Sequence, residues 1–235
     1  MGDLGISSFD DEQLHLYSSA ICLYAYNNKL KSLNGIEVLD LLEEIQAQHN
    51  EISEIPELAP FFLKKLDLRH NCIQKVSGLS QQPVLQELYL SYQNVSKLIL
   101  TEGCFASQAE SLYVLEMESC GIDDTTEIQC LTNLRILNLA KNQISSFDEL
   151  QRLFSHLPFL EKVDLRGNPI CKSPKYRERV IVMGNFTELD DKEVLHVQRE
   201  TLLRMKSRRT KRTRAPTASS EKENSRNSSL FVRHV

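Results

Sequence analysis

The chain has 235 residues, 41% apolar and 26% charged, enough for one sizeable core and a short appendage. Its net charge of −4 hides an asymmetry: residues 204–235 hold 10 Lys and Arg against 2 Glu, or +8, leaving −12 on the remainder. No run of about 18 apolar residues is present, Met1 to Asp11 lacks the basic start and apolar stretch of a signal peptide, and six cysteines are scattered without C-x-x-C spacing. A soluble, intracellular protein without membrane span, zinc site or disulfides is expected.

In chain order, residues 1–20 are expected to form an N-terminal cap, with Leu14 and Leu16 of Phe9–Ala20 as partial strand residues. From residue 21 to residue 170 one pattern recurs. Its clearest copy, Leu134 to Ile144 (LRILNLAKNQI), fits L-x-x-L-x-L-x-x-N-x-I at every defined position. The turn position falls at Asn28, Asn50, Asn71, Gln93, Cys120, Asn142 and Asn168, spaced by 22, 21, 22, 27, 22 and 26 residues. Inward strand pairs keep the same frame: Leu23/Ala25, Ile45/Ala47, Leu66/Leu68, Leu88/Leu90, Leu115/Met117, Leu137/Leu139 and Val163/Leu165. Closing apolar residues come next at Leu30, Ile52, Ile73, Val95, Ile122, Ile144 and Ile170, then Leu33, Ile55, Val76, Leu98 and Phe147. No single unit can bury its apolar face, so the units must stack, giving an α/β leucine-rich repeat solenoid of about seven repeats, right-handed and capped at both ends.

An Asn at the turn satisfies backbone groups that would otherwise be buried unpaired, and Cys120 is an accepted substitute. Gln93 departs from the pattern, and the long spacing after it predicts a bulged loop over 97–110, either a tolerated insertion or a docking loop. After Asn168-Pro169, residues 171–206 are expected to form a C-terminal cap: a helical stretch opening at Pro174, Tyr176 and Arg177, then a second helix with Asp190 or Asp191 as N-cap and Glu193 in its first turn. Residues 207–235, rich in Ser, Arg, Thr and Asn, are expected to be disordered. The Lys222-Glu223-Asn224 tripeptide is a weak match to a degradation box.

The 22-residue period, the long final unit and the sequel with Asn168, Pro169, Pro174, Tyr176, Arg177, Leu189 and Asp190 resemble the intracellular leucine-rich repeat proteins that end in a dedicated cap, a class typified by a small regulator of protein phosphatase-1. The resemblance covers roughly residues 15–205. It implies a non-enzymatic binding subunit, a regulator of phosphatase-1 or an adaptor at the centrosome, cilium or microtubule cytoskeleton. Implied partners are the phosphatase-1 catalytic subunit and tubulin. Dynein-associated light chains share these repeats, so an axonemal structural role is the alternative. That regulator uses acidic and aromatic concave residues; here Ile136, Asn138 and Ala140 leave the sixth repeat bland, and no short phosphatase docking motif is present.

Function is expected on the strand residues that alternate with the core leucines. Glu44, Lys65 and Glu87 share one column and are expected to neutralise one another. Tyr24, Tyr26, Tyr89 and Tyr92, beside Asp67, Arg69, Glu116 and Glu118, form the candidate partner-binding face, since Tyr and Arg are enriched at binding hot spots. The run Arg204, Lys206, Arg208, Arg209, Lys211, Arg212 and Arg214 could serve nuclear import or contact an acidic tubulin tail. It lacks interleaved aromatics, which disfavours nucleic acid. The six histidines have no ligand spacing, and neither a phosphate loop nor a nucleophile motif is present, so no catalytic residue, metal or cofactor is expected. The chain is expected to be a monomer.

Overall fold

The structure, a computed structural model, describes residues 2–9, 14–58 and 62–214, with side chains described through residue 208. It divides into two compact units, Met1–Leu195 and His196–Val235.

In the first unit, every repeat contributes a strand of three residues: β1 Cys22–Tyr24, β2 Glu44–Gln46, β3 Lys65–Asp67, then, past the short β4 Lys75–Val76, β5 Glu87–Tyr89. After β6 Ile99–Leu100 the series continues with β7 Val114–Glu116, β8 Ile136–Asn138 and β9 Lys162–Asp164. Two further strands, β10 Glu188–Leu189 and β11 Lys192–Glu193, complete a nine-stranded sheet in the order β1-β2-β3-β5-β7-β8-β9-β10-β11. All pairings in it are parallel except β10 with β11. The register matches like with like, Leu66 against Leu88, Leu88 against Leu115, Leu115 against Leu137. A one-residue slip would turn every core leucine outward, so the repeated pattern itself pins this register. Each inward pair is buried, from Leu23 with Ala25 to Val163 with Leu165.

The residue before each turn position is left-handed: Asn27, His49, His70, Tyr92, Ser119 and Lys141 have φ between 53° and 62°, and Gly167 has φ 77°. Holding bulky residues there costs on the order of 1 kcal/mol each. The turn amides offset it. The Asn71 side chain donates to Ala47 O and Leu68 O and accepts from Ile52 N, so it ties two repeats together with its own turn. Asn50, Asn142 and Asn168 repeat the arrangement. Gln93 departs only in sequence: it accepts from Ile73 N and donates to Leu68 O and Leu90 O. Cys120 turns its thiol to Leu90 O. Val95, in the Gln93 unit, is half-buried rather than closing the core, as is Phe147.

The predicted bulge over 97–110 is instead a packed layer. Its strand Ile99–Leu100 pairs with Lys75–Val76 on the far side of the coil, and Phe105 is fully buried. The buried Gln108 donates to Leu79 O and Gln82 O. The apolar ring gives the added residues a core position of their own.

At the N-terminal end Leu14 is buried, but His15–Tyr17 is a 3-10 turn with Leu16 exposed, not a strand. The seal is made partly by residues upstream, where Leu4 N and Ile6 N donate to Asn28 Oδ1 and Lys29 N donates to Ile6 O. Asp10 to Gln13, within the expected cap, lie outside the described residues.

At the other end, helix α1 (Phe147–His156) starts at Ser146, whose side chain accepts from Glu149 N. The Glu149 carboxylate does not fold back on this cap; it reaches the preceding repeat and accepts from Thr125 N and Oγ1. The helix buries Leu150, Leu153 and Phe154, and Phe154 meets the fully buried Phe186 edge-on at 5.3 Å. A shorter helix, α2 (Tyr176–Ile181), carries the cap's polar staples. The Asp190 carboxylate accepts from Leu165 N and from the Tyr176 hydroxyl, while the Arg177 guanidinium donates to Leu189 O, Lys192 O and Glu193 O. Asp190 and Asp191, expected to cap a helix, are instead the two left-handed residues of the β10–β11 hairpin, with φ 54° and 57°. Two consecutive positive φ values are what a tight hairpin needs, and Asp tolerates them.

In the second unit, helix α3 (His196–Arg214) carries regular structure beyond residue 207, into the stretch whose composition predicts disorder. Lys and Arg are good helix formers, and Glu200 pairs with Arg204 one turn on. Residues 215–235, with the Lys222-Glu223-Asn224 tripeptide, lie outside the described residues.

Candidate protein-docking surface

Alternation in β1, β2, β3, β5, β7, β8 and β9 sends one set of side chains into the core and the other to the open face of the sheet, and parallel pairing stacks the latter in columns. Tyr24, Gln46, Asp67, Tyr89, Glu116, Asn138 and Asp164 form the middle column, residue against residue. Strand spacing of about 4.8 Å lets neighbours bond. Lys65 sits between Glu44, at 3.5 Å, and Glu87, at 3.7 Å. Glu87 also accepts from the hydroxyls of Tyr89 and Tyr113; Tyr113, just before β7, belongs to this network although its position outside the alternating columns gave no sign of it.

The eight predicted contact residues do not have equal standing. Tyr24 is 45% exposed and Tyr26 half-buried. Asp67 is not available to a partner: it is 3% exposed, clamped by the Arg69 guanidinium through Nε and Nη2 at 3.0 and 2.6 Å. Its role is to hold Arg69, whose guanidinium lies 5.2 Å from the centre of the Tyr89 ring. Burial pushes the Tyr89 hydroxyl above its ordinary range, with the hydrogen bond to Glu87 adding to it. Glu118 accepts from the Tyr92 hydroxyl and pairs with Lys141 at 2.8 Å.

The alternating columns miss a row of rings. The left-handed turn residues set three of them side by side: His49 on His70 at 4.2 Å and His70 on Tyr92 at 4.8 Å, nearly parallel. Equal spacing of His49 and His70 before their turn asparagines was the available signal. With Tyr26, Gln48 and Arg69 these rings line a concavity of about 320 Å³ along the sheet rim. Burial, then the neighbouring His49 and Arg69 charges, lower the His70 pKa.

Glu116 stands apart from the other acids. Burial raises its pKa, and although Arg69 opposes this, Asp67, Glu118 and Glu87 add to the rise. A carboxyl whose folded pKa lies above its unfolded value near 4.5 contributes stability below that value and loses it as pH rises through the folded pKa. Glu116→Gln is therefore expected to raise the melting temperature at pH 7 and to leave it unchanged near pH 3.5; a lower Tm at pH 7 would show that the carboxylate is structural.

Of the basic run, Arg204, Lys206 and Arg208 are exposed on α3; the side chains of Arg209, Lys211, Arg212 and Arg214 lie outside the described residues. Among the described residues no three His, Cys, Asp or Glu side chains are grouped to hold a metal, and no helix is long and apolar enough to cross a membrane.

A parallel sheet of stacked 22-residue units, sealed by caps and presenting rows of Tyr, Arg and Glu, defines a leucine-rich repeat solenoid with one open, polar-aromatic face. Comparison with known proteins agrees. A model described as leucine-rich repeats in two copies matches residues 132–176, and a single leucine-rich repeat model matches residues 59–79. Leucine-rich repeat-containing protein 36 from Mus musculus is 33% identical over 136 residues, 57% of this chain and 18% of that protein. Nephrocan from Mus musculus is 28% identical over 181 residues, 67% of this chain and 35% of that protein. The chain thus spans about a third or less of the length of these relatives. Among solved structures, an internalin from Listeria monocytogenes superposes with a TM-score of 0.62 at 22% identity, covering 80% of this chain and 51% of that one. Leucine-rich repeat proteins generally act as protein–protein interaction scaffolds.

Proposed function

We propose that the chain is a non-enzymatic adaptor or regulatory subunit whose open sheet face docks a protein partner, within reach of protein phosphatase-1 or the microtubule cytoskeleton. The supporting observation is a face whose polar side chains are already bonded to one another: Arg69 to Asp67, Tyr89 to Glu87, and Tyr92 to Glu118. Side chains held by such bonds lose less freedom on contact than unbonded ones would. Tyr24 and Tyr26 at one end supply aromatic anchors. The cap resemblance favours the phosphatase-1 catalytic subunit; the exposed basic residues of α3 favour the acidic tails of tubulin at the centrosome or cilium.

The purified full chain is expected to capture either the phosphatase-1 catalytic subunit or assembled microtubules. Tyr24→Ala should weaken that capture by at least about tenfold while leaving the melting temperature unchanged, because Tyr24 is exposed. Neither protein captured, or capture insensitive to Tyr24, overturns the reading.

A further inference from the structure

The sixth repeat, bland in sequence, forms the wall of a cleft of about 200 Å³ between Glu116 on β7 and the cap. Ile136 forms part of its lining, half-exposed, with Asn138 beside it. Around them stand Glu116, Asp164, Glu188 and Asp191 against Lys162 and Arg166, a net charge of −2. Both cations are committed: Lys162 pairs with Glu188 at 3.1 Å, and Arg166 bonds Asp164 and Asp191. The same holds for Lys65, Arg69 and Lys141 along the sheet, each bonded to Glu44 and Glu87, to Asp67, and to Glu118. Among the described residues Glu116 is the half-buried carboxylate of the strand columns that no cation bonds, whereas Glu193 on β11, also without an ion pair, is exposed to water; Arg69, spent on Asp67, acts on Glu116 only through space.

We infer that this cleft seats an arginine or lysine side chain of the docking partner, its aliphatic stem on Ile136 and its charge against the Glu116 carboxylate. The inference rests on the reading of the sheet face as a docking surface and names the chemistry of one anchor on it. An unpaired, half-buried carboxylate is costly in the free protein, and an incoming cation relieves that cost. The methylene stem of a long cation packs on an apolar side chain while its head stays polar. An acidic anchor would meet the −2 cleft and be repelled.

The test uses the full chain with 13C-labelled isoleucine methyls, the Ile136 signal being assigned through Ile136→Val. The probes are the capped tripeptides Ac-Gly-Arg-Gly-NH2 and Ac-Gly-Lys-Gly-NH2, and the citrulline analogue, which keeps the shape of arginine without its charge. Both cationic peptides are expected to move the Ile136 methyl signal saturably and the citrulline peptide not at all. Glu116→Gln should weaken the response about tenfold or more, whereas Tyr24→Ala should leave it intact. An equal response to citrulline, an unchanged response in Glu116→Gln, or no response to either cation overturns the inference. If Tyr24 still governs capture of a partner in that event, the docking surface stands and only its cationic anchor is lost.

Discussion

Asn142→Ala is expected to destabilise the repeat body by about 3–5 kcal/mol, far more than removal of one surface amide would suggest. The Asn142 side chain accepts from Cys120 N and Ile122 N at 3.0 and 2.9 Å, and donates to Met117 O and Leu139 O at 2.8 and 3.0 Å. Alanine leaves the Cys120 and Ile122 amides and the Met117 carbonyl short of partners in a place that is 1% exposed, while Leu139 O keeps the Asn168 side chain, and each buried orphan costs about 1–3 kcal/mol. Urea unfolding should show a lowered midpoint, and amide exchange at Cys120 and Ile122 should accelerate. Asn133→Ala is the control: Asn133 is exposed and donates only to Glu110 O, so its loss should stay within about 0.5 kcal/mol. Equal effects of the two substitutions would refute the structural role of the turn ladder.

Phe186→Ala should be of similar size, about 3–5 kcal/mol, through a different cause. The ring is fully buried against Phe154, and a Cβ at Gly184 would stand only 2.7 Å from it, so the surroundings are already tight. Its removal opens the end of the core that α1 and the hairpin seal. Because each repeat touches only its neighbours, damage should start at that end: exchange protection of Thr187 and Glu188, whose amides donate to Glu161 O, should fall before that of β2 or β3. Uniform loss along the sheet would contradict a locally acting cap.

The turn ladder was legible in the sequence because an Asn at a fixed phase has only one physical use in a stack, and even Gln93 keeps that use with one more methylene. The cap could be foreseen as an element but not in its geometry. Asp190 and Asp191 look like helix N-caps in a window of sequence; they form the hairpin turn because β10 must pair with β9 on one side and β11 on the other. Phe105, in a stretch that also holds Leu98, Ile99 and Leu100, was the sign that residues 97–110 pack rather than bulge.

The candidate face shows the same split. Alternation put Tyr24, Tyr89 and Glu116 on the open side, and the strand register stacks them in one column. It could not tell Asp67, buried as the clamp for Arg69, from Glu116, half-buried without a cation. Nor could it show that Ile136 and Asn138 flank a cleft, since a cleft belongs to the gap between neighbours and not to any one residue.

Period, register and turn residues are local rules repeated about seven times, and each copy enforces the same frame on the next, so the stack is written in the chain alone. Which polar side chains are spent and which remain to act is settled by the folded coils, because ion pairing and burial depend on residues about 20 positions away that come within a few ångströms only when the repeats stack.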